Sequence, residues 1–178
     1  MVSALMLSVA VNKFKERIMR EVYIASHGRY AEGTVSALNL LIGEDHAIQP
    51  ICAYCGDIGS TAELAERFSE IAQESARRGN ELVIFTDMQG GSVNNTAVQL
   101  MVKYPHMHVI SGANLIMLMA FCLSENNDTA VRVHEAITMA VDGMQYMNTV
   151  PELQAAREAS FNTEQGGSDD FFTTELSQ

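Results

Sequence analysis

Three short stretches of the chain concentrate residues that can do chemistry. "YIASHG" carries His27 at the end of an apolar run, "VIFTD" ends in Asp87, and "QGGSVNN" sets Ser92 behind Gly90 and Gly91. A carboxylate that accepts a hydrogen bond from one imidazole nitrogen fixes the tautomer. It leaves the other nitrogen as a nucleophile and stabilises the ring when it becomes cationic. Paired glycines can aim backbone N–H groups at a ligand. A serine at the start of a helix adds a hydroxyl to the free amides and the helix dipole, which together make an anion site. A nucleophilic histidine beside an anion pocket has the parts that a transient phosphohistidine needs. Alone, each part has a plainer reading: an exposed histidine, a turn cap, a tight turn. Their meaning depends on whether the fold brings them together.

The elements that would position them alternate. "EVYIAS", "AIQPICAY", "ELVIFTD" and "MHVISG" read as strands. Helical spacing fills "AEGTVSALNLLIGE", "STAELAERFSEIAQESARRG", "SVNNTAVQLMVKY", "NLIMLMAFCLSE" and "DTAVRVHEAITMAVDG". Ser60 or Thr61 can cap the second of these helices and Gly79 can stop it, while Gly43 suits the end of the first. The order predicts an α/β fold: an open, doubly wound, mostly parallel sheet of about four strands with helices on both faces. "ELVIFT" is unbroken apolar, as a strand buried on both faces should be. Pro50 assigns the second strand to an edge. In such a sheet ligands sit at the carboxyl ends of strands, where connections diverge. If the first and third strands are neighbours, His27 and Asp87 meet there; the fourth strand ends in "SGAN".

The bulk properties exclude several classes. A length of 178 residues suits one domain, and a net charge of −11 argues against nucleic acid and anionic membranes as partners. Cys52, Cys55 and Cys122 form no disulfide framework and read as thiols of a cytoplasmic protein. Cys52 and Cys55 make a C-x-x-C that follows a strand instead of opening a helix. His106 and His108 alternate along a strand with no third ligand in view, so no metal is expected. "VSALMLSVAV" is too short to span a bilayer, and its basic residues follow it, which argues against a secretory signal. Residues 1–20 read as an extension outside the working domain, possible non-native sequence with Met19 as a candidate first residue. Residues 21–150 form the domain, and the acidic residues 151–178 a mobile tail after a short helical piece around "PELQAAREA".

"IASHGRYAEG", "VIFTDMQGGSVNN" and "HVISGANLIML" occur in an order and spacing that resemble the mannose-type enzyme IIA domains of the bacterial phosphoenolpyruvate-dependent sugar phosphotransferase system, over about residues 21–147. The resemblance implies a phosphotransferase without cofactor. Its nucleophile would be His27, phosphorylated by the histidine phosphocarrier protein and discharged to enzyme IIB, with membrane permease subunits downstream. Asp87 would match the family's aspartate, and Ser92, with Gly90 and Gly91, its phosphate-contacting turn. The resemblance also implies a homodimer that exchanges a short antiparallel strand, for which "MQYMN" is the candidate. Val93 stands where members often have proline, and Met88 and Gln89 replace an aromatic neighbourhood. A phosphotransferase subunit of a dihydroxyacetone kinase shares the first motif, but "GGSVNN" favours the sugar branch. A Ser92, His27 and Asp87 hydrolase triad is a second class, although no G-x-S-x-G elbow is present. A nucleotide-binding module is a third, and it lacks both G-x-G-x-x-G and G-K-[ST].

Overall fold

The computed structural model describes residues 19–166; the extension at residues 1–18 and the end of the acidic tail lie outside the described residues. Strands β1 (Arg20–His27), β2 (Ile48–Ala53), β3 (Glu81–Thr86) and β4 (Met107–Ser111) form one sheet in the order β2-β1-β3-β4. All pairings are parallel. Five helices accompany the sheet: α1 (Tyr30–Ile42), α2 (Thr61–Arg78), α3 (Ser92–Met101), α4 (Leu115–Leu123) and α5 (Thr129–Asp142). The expected fold class is therefore the observed one, with the first and third strands adjacent. Pro50 lies on β2, an edge strand, where its missing N–H has no neighbour to serve. β1 begins at Arg20, so that residue belongs to the sheet and not to the preceding segment.

The period-2 alternation of the strands divides the core into two layers. Val22, Ile24, Val83, Phe85 and Ile110 face α1, α4 and α5 through Leu38, Met117, Leu118, Phe121, Val133 and Ala136. Tyr23, Ala25, Leu82 and Ile84 face α2 and α3 through Leu64, Phe68, Ile71, Val93 and Ala97. Both faces of β3 are thus covered, which explains its unbroken apolar sequence.

The helix ends follow their chemistry. Ser60 caps α2 in a full capping box with Glu63, and Gly79 ends it in the left-handed conformation. Asn114 caps α4 by accepting from the Met117 N–H at 3.0 Å. That use accounts for the "SGAN" at the end of β4.

Two compact units divide at residues 141 and 142. The second contains a 3₁₀ turn at Met147–Thr149 and helix α6 (Pro151–Gly166). The expected β-like piece in "MQYMN" is not a strand in the single chain. Among the described residues no strand supplies ladder bonds to it, and the backbone closes locally, with Thr149 N–H donating to Tyr146 O at 2.9 Å. α6 is also longer than the short helical piece expected around "PELQAAREA". Among the described residues no helix is long and apolar enough to cross a membrane.

Phe85 tests the layer under the site. It is fully buried, with its ring edge-on to Phe121 at a centroid distance of 5.1 Å. Phe85→Ala is expected to lower unfolding stability by about 3–5 kcal/mol. Urea denaturation measures it, and a loss below ~1 kcal/mol would contradict the packing described.

Candidate active site

The site forms where the sheet changes winding direction. β1 leads to β2 on one side, while β3 and β4 lie on the other, so the connections leaving β1 and β3 diverge above adjacent strand ends. Ala25 pairs with Thr86, which sets the last residue of β1, His27, next to the first residue beyond β3, Asp87. Oδ2 of Asp87 accepts from the backbone N–H of His27 at 2.8 Å and lies 2.8 Å from its Nδ1. Oδ1 accepts from the Met88 N–H at 2.9 Å. An ionised carboxylate only accepts, so Nδ1 carries a proton, and in the neutral ring Nε2 presents its lone pair. Nε2 lies 3.0 Å from Ser92 Oγ. The His27 side chain is 38% exposed against 15% for Asp87, so the imidazole is open while its partner is shielded.

The loop from Asp87 to Gly91 is held from below. Asn94 is buried and donates to Thr86 Oγ1 at 2.9 Å, and its Oδ1 accepts from the Gly90 N–H at 3.3 Å. Thr86 in turn donates to Ile110 O at 3.1 Å, linking the loop to β4. Gly90 has φ +75°, which favours glycine. Gly91 is crowded: an added Cβ would lie 2.9 Å from Met88 Cγ and 3.1 Å from His27 Cε1, so a side chain there would have to displace Met88 and press on the imidazole. Gly91 is also the N-cap of α3, and Ser92 is its first helical residue. Ser92 is therefore not the cap that the sequence suggested; its hydroxyl faces His27 instead. The first amides of α3 precede any intrahelical acceptor, so this end of the helix, where Ser92 reaches the histidine, leaves N–H groups without helical partners.

Burial pushes the Asp87 carboxyl up. The N–H and ring of His27, the N–H of Met88 and the charge of a protonated His27 outweigh it and leave the group below its ordinary value. Hydrogen bonds with Ser92 and Thr61 lower the Tyr54 phenol.

The family model for the PTS system fructose IIA component matches residues 21–139. The chain belongs to this family. It is 26% identical over 140 residues to the PTS system mannose-specific EIIAB component of Escherichia coli strain K12, a match covering 76% of this chain and 42% of that protein. The chain thus spans less than half the length of the curated relatives it matches. The phosphotransferase system component EIIA of Streptococcus agalactiae superposes with a TM-score of 0.64 at 26% identity, over 74% of this chain and 100% of that one. The mannose/sorbose specific IIA subunit of the phosphotransferase system from Enterococcus faecalis gives 0.57 at 25%, over 72% and 95%. The resemblance carried by the three sequence motifs is thereby borne out.

In this IIA chain the fold gathers His27, Asp87, Gly90, Gly91 and Ser92 at one point. The remaining histidines and cysteines named above have other partners. His106 Nε2 lies 3.0 Å from Ala72 O, and His108 faces Glu81 at 3.8 Å. Cys52 lies on β2 opposite Ser26, with its thiol pushed up by burial, and Cys55 Sγ is 3.9 Å from Cys52 O. Among the described residues no three His, Cys, Asp or Glu side chains gather to hold a metal.

Tyr54 was missed in the sequence. Its hydroxyl donates to Ser92 Oγ at 2.7 Å and lies 3.0 Å from Thr61 Oγ1, and its ring is 5.5 Å from the His27 ring. The available signal was its place just past β2, at a third carboxyl end beside β1.

The Asp87 contacts predict an acid limb in stability. Because the folded value is depressed, the ionised carboxylate stabilises fully above its ordinary value and loses that contribution as pH falls through the lower folded value. Asp87→Asn should flatten this part of the melting-temperature profile. An acid limb identical in wild type and variant would contradict it.

Proposed function

We propose that the protein is a phosphohistidine carrier of a sugar phosphotransferase system, loaded on His27 Nε2. The observation that carries this reading is the pair of opposed contacts on one ring: Asp87 on Nδ1 and the opening of α3, through Ser92, on Nε2. As Nε2 attacks a donor phosphohistidine, the new P–N bond forms while the old one breaks and its electron pair returns to the donor nitrogen. The Nδ1 proton stays in place, and Asp87 balances the cationic ring. The Ser92 hydroxyl turns from the lone pair to a phosphoryl oxygen, and the α3 amides face the others. Because both ends are histidines, transfer is close to balanced and reversible, and the protein acts by positioning and charge stabilisation. In this reading the donor is the histidine phosphocarrier protein, the acceptor enzyme IIB, the setting cytoplasmic, and the working domain residues 21–150.

The test is incubation with labelled phosphoenolpyruvate, enzyme I and the phosphocarrier, followed by peptide mapping. An acid-labile, base-stable label on the His27 peptide is expected. His27→Ala should abolish it with the fold intact. Asp87→Asn should slow labelling by about a hundredfold or more. Ser92→Ala should cost less than the roughly 10²–10³ of a lost oxyanion donor, since the amides remain. Undiminished labelling of His27→Ala, or label on His106, His108 or Ser92, overturns the assignment.

The same distances favour a second reading, a hydrolase in which Ser92 is the nucleophile and His27 the base. Ester hydrolysis that disappears in Ser92→Ala, in a protein that takes no label, would select it.

A homodimer completes the proposal. Met144, Tyr146 and Met147 are exposed, in a segment with no ladder partner among the described residues. Pairing it with the edge of a second copy would cover both. Light scattering should give twice the chain mass at micromolar concentration; a monomer would refute the pairing.

A further inference from the structure

We propose that Tyr54 is a positioning residue of the phosphotransfer site, holding the Ser92 hydroxyl as a donor toward His27 Nε2. The inference rests on the phosphocarrier reading and adds to it a residue that acts through Ser92.

Hydrogen-bond polarity carries the argument. Asp87 can only accept, so His27 Nδ1 donates, and in the neutral ring, the form that can act as a nucleophile, Nε2 accepts. Ser92 Oγ lies 3.0 Å from Nε2, and a hydroxyl has a single proton, so Ser92 must donate there. Its oxygen is then left to accept, and the Tyr54 hydroxyl donates to it at 2.7 Å. The Tyr54 proton is now committed, so Thr61 Oγ1, at 3.0 Å, must donate to the tyrosine. The chain runs one way, from Thr61 through Tyr54 and Ser92 to His27. Without Tyr54, the Ser92 oxygen loses the donor that sets its rotor. The hydroxyl is then free to turn a lone pair toward Nε2, or toward the oxygens of an incoming phosphoryl group. With Tyr54 in place, Ser92 remains a donor both before transfer, to Nε2, and after it, to the phosphoryl oxygen.

The backbone supplies an independent observation. Tyr54 has φ +63°, a conformation that favours glycine. It opens a closed loop in which its N–H donates to Ile58 O at 2.6 Å and Cys55 bridges Ile58. This loop turns the tyrosine off the β2 axis and over the His27 ring, against the first residues of α2 and α3. A side chain kept at an unfavourable backbone position, with its one polar atom shared between the starts of two helices, marks a site over-determined by its surroundings.

The test uses the full chain with Tyr54→Phe, which keeps the ring and removes only the hydroxyl. Labelling by phosphoenolpyruvate, enzyme I and the phosphocarrier should slow by about tenfold, the rate equivalent of one ordinary hydrogen bond. In a Ser92→Ala background the same change should add nothing further, because Tyr54 acts through Ser92. The nitrogen-15 resonance of His27 Nε2 should move in the direction produced by Ser92→Ala, by a smaller amount. Wild-type labelling by Tyr54→Phe, an unmoved Nε2 resonance, or an equal slowing in the Ser92→Ala background would each overturn the inference. If the wild-type chain takes no label, the phosphocarrier reading fails, and the Nε2 resonance alone decides the role of Tyr54.

Discussion

One carboxylate oxygen joins the two strand ends on which the site is built. Asp87 Oδ2 accepts from both the backbone and the ring of His27, so the end of β1 and the start of the loop after β3 are tied at one atom. Parallel pairing of β1 and β3 makes this contact possible, because only parallel neighbours put both carboxyl ends on the same side of the sheet. The backbone bond fixes where Asp87 sits, and the ring bond then fixes which way the imidazole turns. Every later feature of the site inherits that orientation: the outward turn of Nε2, its contact with Ser92, and the crowding of position 91 by the ring.

The two-layer core explains why so exposed a histidine is so well placed. Ile24 and Ala25 are completely buried just before it, and Phe85 and Thr86 are buried just before Asp87. Packing holds the strands to their last residue, and the side chains beyond are free to face solvent. Below the loop, Asn94 and Thr86 replace packing with a short buried polar network in which each group has a partner. Rigid strands and a pinned loop are what a site needs when its chemistry depends on positioning.

Much of this was readable in the residues. β1 and β3 show as apolar runs because both of their faces are covered, and the helix limits show in Ser60 and Gly79 because capping is local chemistry. His27, Asp87 and Ser92 stood out because each follows an element whose type was plain. What escaped notice depends on distance in space. Tyr54 looks like the end of a strand, and only a left-handed turn at that residue carries it to Ser92, 38 positions away. Ser92 looked like a cap because serine often is one; a ring nitrogen competes for the same hydroxyl, and Gly91 takes the capping position. "MQYMN" has strand composition, but a strand needs a neighbour, and none of the described residues pairs with it.

The direction of the polar chain follows from a single fact about its far end. A carboxylate has no proton to give, so when the imidazole is neutral each group beyond it has its role assigned in turn, from the ring through Ser92 to Tyr54 and Thr61. Reversing any one link would put two lone pairs or two protons face to face. Ionised Asp87 therefore acts beyond its own contacts, since it decides that Ser92 presents a proton to whatever occupies the space at Nε2. A neutral lone pair and a phosphoryl oxygen both accept a proton, so the same hydroxyl polarity serves an empty and a loaded histidine. A site arranged in this way needs to turn only one hydroxyl between the two states proposed for it, and that economy of motion suits a carrier that must load and discharge with little change in free energy.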